Sequence, residues 1–138
     1  MVSTEFEQIV DAFTFFETWE DRYSYILELA AMLPPFKENE RTPENKVDGC
    51  VSNVWIITSI LEKEGKKIFV FNGDSDSHIV KGIIAILYAL LSGQNLDELI
   101  NTDIMKTLTR LQLDGHLTSQ RTNGLRSMVD RLQRLINS

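Results

Sequence analysis

Cysteine is nearly absent: Cys50 is the only one in 138 residues. A lone cysteine cannot close an internal disulfide, nor supply the several thiolates of a structural zinc or an iron–sulfur site. Histidine is almost as scarce, with only His78 and His116, and neither stands in a recognisable motif. A self-sufficient cysteine hydrolase wants a histidine base beside the thiol and a third group to orient it, so that class has little support. A thiol–disulfide oxidoreductase normally needs a second, resolving cysteine. Basic residues are short as well: fourteen against twenty acidic ones, a net charge of −6. Nucleic acid and anionic membrane surfaces both need a basic face, and neither is an expected partner. Long apolar runs are missing too. The segment from Gly82 to Leu96 carries no charge, yet Ser, Gly, Gln and Asn interrupt it and it falls short of the ~20 apolar residues of a membrane span. The first twenty residues mix Glu and Asp among apolar ones, unlike a signal peptide. These absences make the expected compartment the cytoplasm, where thiols stay reduced.

What is present reads as one α+β domain over residues 1–138, with apolar residues at 43% and charged ones at 25%. Thr4-Glu-Phe-Glu7 has the capping-box pattern, followed by Phe6, Ile9, Val10, Phe13 and Phe16 at helical spacing. Thr18-Trp-Glu-Asp21 repeats the signal for a second helix, which Pro34-Pro35 ends. Val47 to Leu61 reads as strand, open to a break at Gly49-Cys50, and Lys66 to Asn72 as a second strand after a hairpin-like Glu62-Lys-Glu-Gly65. A buried helix follows, with Ile79, Ile83, Ile86, Leu87, Leu90 and Leu91 on its face and a stop at Ser92-Gly93. Short helical stretches at Leu96–Ile100 and Ile104–Leu111 precede a last helix from about Ser119. Its expected core residues are Leu125, Met128, Val129, Leu132, Leu135 and Ile136. The order is helices, a small antiparallel sheet, then helices.

Cys50 closes the run Lys46-Val-Asp-Gly-Cys50. Asp48-Gly49 is turn chemistry, because glycine reaches φ > 0 where other residues resist. Free cysteines are commonly small buried hydrophobes, but this turn places the thiol at or near a loop tip, with Asp48 and Gly49 as its hinge. A single thiol on a protruding hinge suits the acceptance of an atom from a partner's active site. Val51, Val54 and Trp55 are candidates to shelter it between encounters, although ordinary core packing is the commoner role for Trp55. In Gly73-Asp-Ser-Asp76, capping of the next helix is the ordinary explanation of the acidic residues. Arg121 is odder, since it falls near a helix N-terminus, where the macrodipole disfavours a cation. There it is a candidate to bind an anion, a thiolate or an acidic partner residue.

Those same places carry a resemblance. Asp48-Gly-Cys-Val-Ser-Asn-Val-Trp55 looks like the sulfur-acceptor loop of the SufE/CsdE family. Gly73-Asp-Ser-Asp-Ser-His-Ile-Val-Lys-Gly82 resembles that family's Gly-Asp-Ser-(Asp/Glu)…Ile-Val-(Lys/Arg)-Gly segment. His116-Leu-Thr-Ser-Gln-Arg-Thr-Asn-Gly-Leu125 is similar to its His-Leu-(Thr/Ser)-Pro-Ser-Arg-Ser-x-Gly-Leu segment, departing at Ser119-Gln120. Trp19-Glu-Asp-Arg-Tyr23 and Leu33-Pro34 also fit, and the matches run in order through nearly the whole chain.

The resemblance implies an α+β fold similar to that of IscU-type scaffolds, without a metal or cofactor of its own. It implies a carrier whose Cys50 takes sulfur, as a persulfide, from a cysteine desulfurase and passes it to an iron–sulfur assembly scaffold. Pyridoxal phosphate would belong to the desulfurase partner. Asp74 and Arg121, inside the matching segments, become candidates for partner binding, and the carrier would be a monomer or weak homodimer. Two other classes stay open from the residues alone: a docking activator of a desulfurase with an inert Cys50, and a one-cysteine redox sensor or peroxidase.

Overall fold

Apolar contacts radiate from one helix that is buried almost all round. The computed structural model describes residues 2–138, the side chain of Asp114 excepted. Helix α1 (Thr4–Phe15) is capped one residue before the expected Thr4: the Ser3 hydroxyl accepts from the Phe6 amide and donates to the Ala89 carbonyl at 2.6 Å. That second bond ties the start of the chain to the central helix. Thr18 caps α2 (Trp19–Leu29), accepting from the Asp21 amide as its sequence pattern predicts. A 3-10 turn at Ala30–Met32 follows before Pro34-Pro35.

Strands β1 (Val54–Lys63) and β2 (Lys66–Ser75) form a long antiparallel hairpin. Its turn is Glu64-Gly65, both at positive φ, which matches the right-handed twist of the flanking strands. The hairpin is longer than expected. β2 continues past Asn72 to Ser75 because β1 offers partners all the way, with Trp55 opposite Asp74 and Val54 opposite Ser75. Phe69 and Phe71 turn inward together with Val54 and Ile56, while Ile68 and Val70 stay half-buried on the other face.

Helix α3 (His78–Leu91) packs against that inner face, with α1 and α2 against it in turn. Ile84, Ala85, Ile86, Leu87 and Leu91 are fully excluded from solvent. Ser77 caps α3, so the capping role expected of Gly73–Asp76 falls one residue later. A two-residue strand β3 (Gln94–Asn95), with no counterpart in the sequence reading, pairs with Ile68 and Phe69. Two short helices, α4 (Leu96–Ile100) and α5 (Ile104–Leu108), lead to α6 (Ser119–Asn137), which packs on both. Leu125, Met128, Val129, Leu132 and Ile136 of α6 are buried as expected, but Leu135 is 37% exposed. It lies beside the apolar stripe, one position before Ile136. The architecture is α+β, with a three-stranded antiparallel sheet in the order β1-β2-β3.

Candidate functional site

Between Val47 and Val54 the chain makes a hook, clipped at its base. The Val47 amide donates to the Val54 carbonyl at 2.8 Å, Lys46 pairs with Trp55, and the Ile56 amide donates to the Asn45 carbonyl at 2.9 Å. The strand expected from Val47 is therefore interrupted at Gly49-Cys50, and β1 starts only at Val54, with no strand before the turn beyond the Lys46–Trp55 bridge. On the descending limb the Asn53 amide and side chain both donate to the Asp76 carboxylate, at 3.1 and 2.9 Å. Gly49 sits at φ +89°, a conformation that a side chain would strain. A Cβ there would also collide with the Ser127 hydroxyl on α6.

The hook lies along α6. The Cys50 sulfur is 3.6 Å from the Gly124 carbonyl, and a Cβ built on Gly124 would touch it at 3.5 Å. Three residues on, Ser127 faces Gly49. One turn further, the Arg131 guanidinium donates to the carbonyls of Lys46 at 2.6 Å and Glu44 at 2.7 Å. Gly124, Ser127 and Arg131 thus form one helical stripe, bearing on the tip, the shoulder and the stem of the hook in turn.

Beside the sulfur opens a pocket of about 120 Å³, whose walls include Val54, Val80, Leu125 and Met128. Burial in these surroundings pushes the Cys50 thiol up from its ordinary range, which holds it protonated at neutral pH. The resting sulfur is half-buried, protonated and a poor nucleophile. Arg121 also lines this pocket. It is the third residue of α6, its amide donating to the Thr118 cap at 3.2 Å, in a first turn that carries no acidic residue. The unfavourable placement inferred from the sequence is real.

Of the residues singled out in the sequence, Asp48, Gly49, Cys50 and Arg121 gather at this site, with Asp48 exposed in the hook. Asp74 does not join them. It lies in β2 opposite Trp55, buried, with its carboxylate 2.6 Å from Arg41 Nη2 and 3.6 Å from Lys81 Nζ. Of the three candidates to shelter the thiol, Val54 is buried in the pocket wall and Val51 lines its edge while 77% exposed; Trp55 offers its ring to Arg41, 6.0 Å away, and does not line the pocket. The rest of the shelter comes from α3 and α6. His78 is exposed, and His116 stacks on Trp19 at 4.1 Å between ring centroids. The sequence reading missed Ser127 and Arg131 as neighbours of the hook. Their only signal was the spacing that follows Gly124, a glycine inside a helix. Among the described residues no group of three or more His, Cys, Asp or Glu is arranged to hold a metal ion, and no helix is long and apolar enough to cross a membrane.

The family model of the SufE Fe-S metabolism associated domain matches residues 7–136. The chain belongs to the SufE family. Membership associates this SufE-family protein with iron–sulfur metabolism. It is 46% identical over 127 residues to an uncharacterized SufE-like protein of Rhizobium etli, covering 92% of this chain and 86% of that one. It is 44% identical over 130 residues to another from Rhizobium meliloti, covering 94% and 93%. In fold it is similar to a hypothetical protein of Thermus thermophilus known from a solution structure, with a TM-score of 0.75 at 21% identity over 99% of this chain and 96% of that one.

Proposed function

We propose that Cys50 is a sulfur acceptor serving a pyridoxal-phosphate-dependent cysteine desulfurase, and that it hands the sulfur to an iron–sulfur assembly scaffold. The observation that carries this reading is the lone thiol on a clipped hook, half-sheltered against Gly124 beside an apolar pocket. Family membership supports a role in iron–sulfur metabolism, and the hook supplies a means of reaching a partner. The chemistry is an exchange at sulfur. The Cys50 thiol loses its proton, its thiolate attacks the outer sulfur of a cysteine persulfide on the desulfurase, and the S–S bond there breaks. The partner's cysteine leaves as thiolate and Cys50 becomes the persulfide, with no net oxidation or reduction. Pyridoxal phosphate stays with the desulfurase, where it releases sulfur from free cysteine.

The resting geometry fits both halves of such a cycle. Before the encounter, burial keeps the thiol protonated, which slows its oxidation. To react, the tip leaves Gly124 and enters the partner's site, where the thiolate forms. After transfer, a pocket of about 120 Å³ next to the sulfur offers room for the second sulfur atom, away from water. Arg121, in the wall of that pocket, is the cation available to a persulfide anion or to an acidic group of the partner.

The test is the intact mass after incubation with a desulfurase and cysteine. One or more added sulfur atoms, removable by reductant and absent from Cys50→Ser, are expected. No adduct, or the same adduct on Cys50→Ser, overturns the proposal. Alkylated protein that still stimulates the desulfurase would show a docking activator instead.

A further inference from the structure

We infer that Arg131 is a positioning residue for the Cys50 thiol: its guanidinium clamps the stem of the hook, so that movement of the sulfur is confined to the tip. The reading of what that movement serves rests on the proposed sulfur transfer, whereas the clamp itself is a matter of geometry. Arg131 stands seven residues, two helical turns, beyond Gly124 on the α6 stripe that carries the hook. Its two terminal nitrogens donate to successive outward carbonyls, Glu44 at 2.7 Å and Lys46 at 2.6 Å. The carbonyl between them, that of Asn45, faces the other way and accepts from the Ile56 amide at 2.9 Å. The stem is thereby held on both sides, by α6 and by β1. A fork with two donors in one plane suits that task; a lysine, a point charge on a flexible stem, cannot span both carbonyls.

Beyond the stem the restraints thin out. Val47 and Val54 share one hydrogen bond and Asn53 is held on Asp76, but between them the tip meets α6 through one long sulfur contact and the Gly49–Ser127 approach. A stem fixed by charge-assisted bonds on one side and an Asn53 anchored on Asp76 on the other leave Asp48 to Ser52 as the movable tip. With the stem fixed, the sulfur returns to the same place against Gly124 after each excursion. Releasing it at Arg131 takes away the α6 side of the stem, so the ascending limb from Glu44 to Cys50 swings on its β1 bonds while Asn53 stays tied to Asp76, and the sulfur moves off its wall.

The experiment is the rate of alkylation of Cys50 by iodoacetamide, followed against pH, in the full-length protein without any partner. Arg131→Met keeps the apolar stem and loses both donors. It is expected to raise the rate at pH 7 by about five- to twentyfold and to move the pH profile of the reaction downward, toward that of a free thiol. Arg131→Lys keeps the charge and at most one bond, and is expected to fall between. Arg134→Met, on the same helix but away from the hook, is expected to leave the profile unchanged. Should Arg131→Met not fold, Arg131→Lys decides: amide exchange at Val47 and Ile56 is expected to quicken in it while exchange in α3 stays slow. An unchanged alkylation profile in the folded variants, or an equal change in Arg134→Met, overturns the clamp. Failure of sulfur transfer in a desulfurase assay with the profile shifted as expected would instead count against the acceptor reading, leaving the clamp standing.

Discussion

Replacing Gly49 by alanine forces the hook to choose between strain and release. At φ +89° a side chain costs about 1–2 kcal/mol in backbone energy alone. The new Cβ also collides with the Ser127 hydroxyl, and turning that side chain off its rotamer costs roughly 0.5–1.5 kcal/mol. If the hook held its place, the total would be about 1.5–3.5 kcal/mol. The tip has little reason to hold. Its ties to α6 are a sulfur contact at 3.6 Å and the packing of a half-buried thiol, worth together only about 1–2 kcal/mol. Release is the cheaper response, so the loss of stability in urea unfolding is expected to level off at about 1–2 kcal/mol. Alkylation of Cys50 is expected to quicken at the same time, because the freed thiol regains an ordinary pKa. In a Ser127→Ala background the hydroxyl is gone, although Cβ stays at 3.3 Å. There holding the hook costs about as much as releasing it, so Gly49→Ala is expected to lose no more stability than before and to quicken alkylation less. A stability loss above about 3 kcal/mol with unaltered thiol reactivity would refute the reasoning, since the tip would then be a rigid part of the core. So would no change in either quantity.

Cys50→Ala is expected to abolish stimulation of the desulfurase while changing stability by no more than about 1–2 kcal/mol; a loss of several would mark a core cysteine. The pH dependence follows from burial, which raises the thiol pKa in the folded state above its unfolded value. The folded state therefore holds the proton more tightly, and the stabilisation is complete below about pH 8.5 and fades as pH rises through the folded pKa. The stability of the wild type in urea should thus fall above that pH more than that of Cys50→Ala, and parallel curves would show that burial does not govern the thiol. Arg121→Ala is expected to leave stability unchanged or raise it by up to about 1 kcal/mol, as the dipole penalty disappears, while desulfurase stimulation falls. A badly destabilised variant that is fully active per folded molecule would make Arg121 structural. Asp74→Asn is expected to lower the thermal midpoint more than Glu38→Gln does, although both carboxylates meet Arg41, because Asp74 is buried and Glu38 is 90% exposed. Equal midpoints would show that burial of this pair is immaterial.

How far the sequence could be read depended on whether the signal was local. The Thr18 cap, the Gly49 turn, the apolar faces of α3 and, Leu135 apart, α6, and the position of Arg121 near a helix start all rest on residues a few places apart, and the structure places each as expected. Ser3 was passed over because Thr4 begins an equally good capping pattern; what decides is the Ala89 carbonyl, eighty-six residues away. The end of β2 was misplaced because Gly73-Asp-Ser-Asp76 has turn composition, and only the register with β1 overrules it. Asp74 was read beside a helix start, while its real partners, Arg41 and Lys81, come from a loop and from α3. The candidate site divides in the same way. The hook was legible; the wall it rests against was not, since nothing near Cys50 in sequence names Gly124, Ser127 or Arg131.

That long separation has a consequence for the life of the molecule. Cys50 and the glycine whose carbonyl it faces are seventy-four residues apart, and the whole supporting stripe lies in the last helix. During synthesis the thiol leaves the ribosome well before its wall exists, and for that interval it is open to oxidation and to any electrophile. Docking of α6 is therefore the event that makes the thiol safe as well as the event that completes the core. A chain interrupted before Ser119 would keep its cysteine and lose its cover.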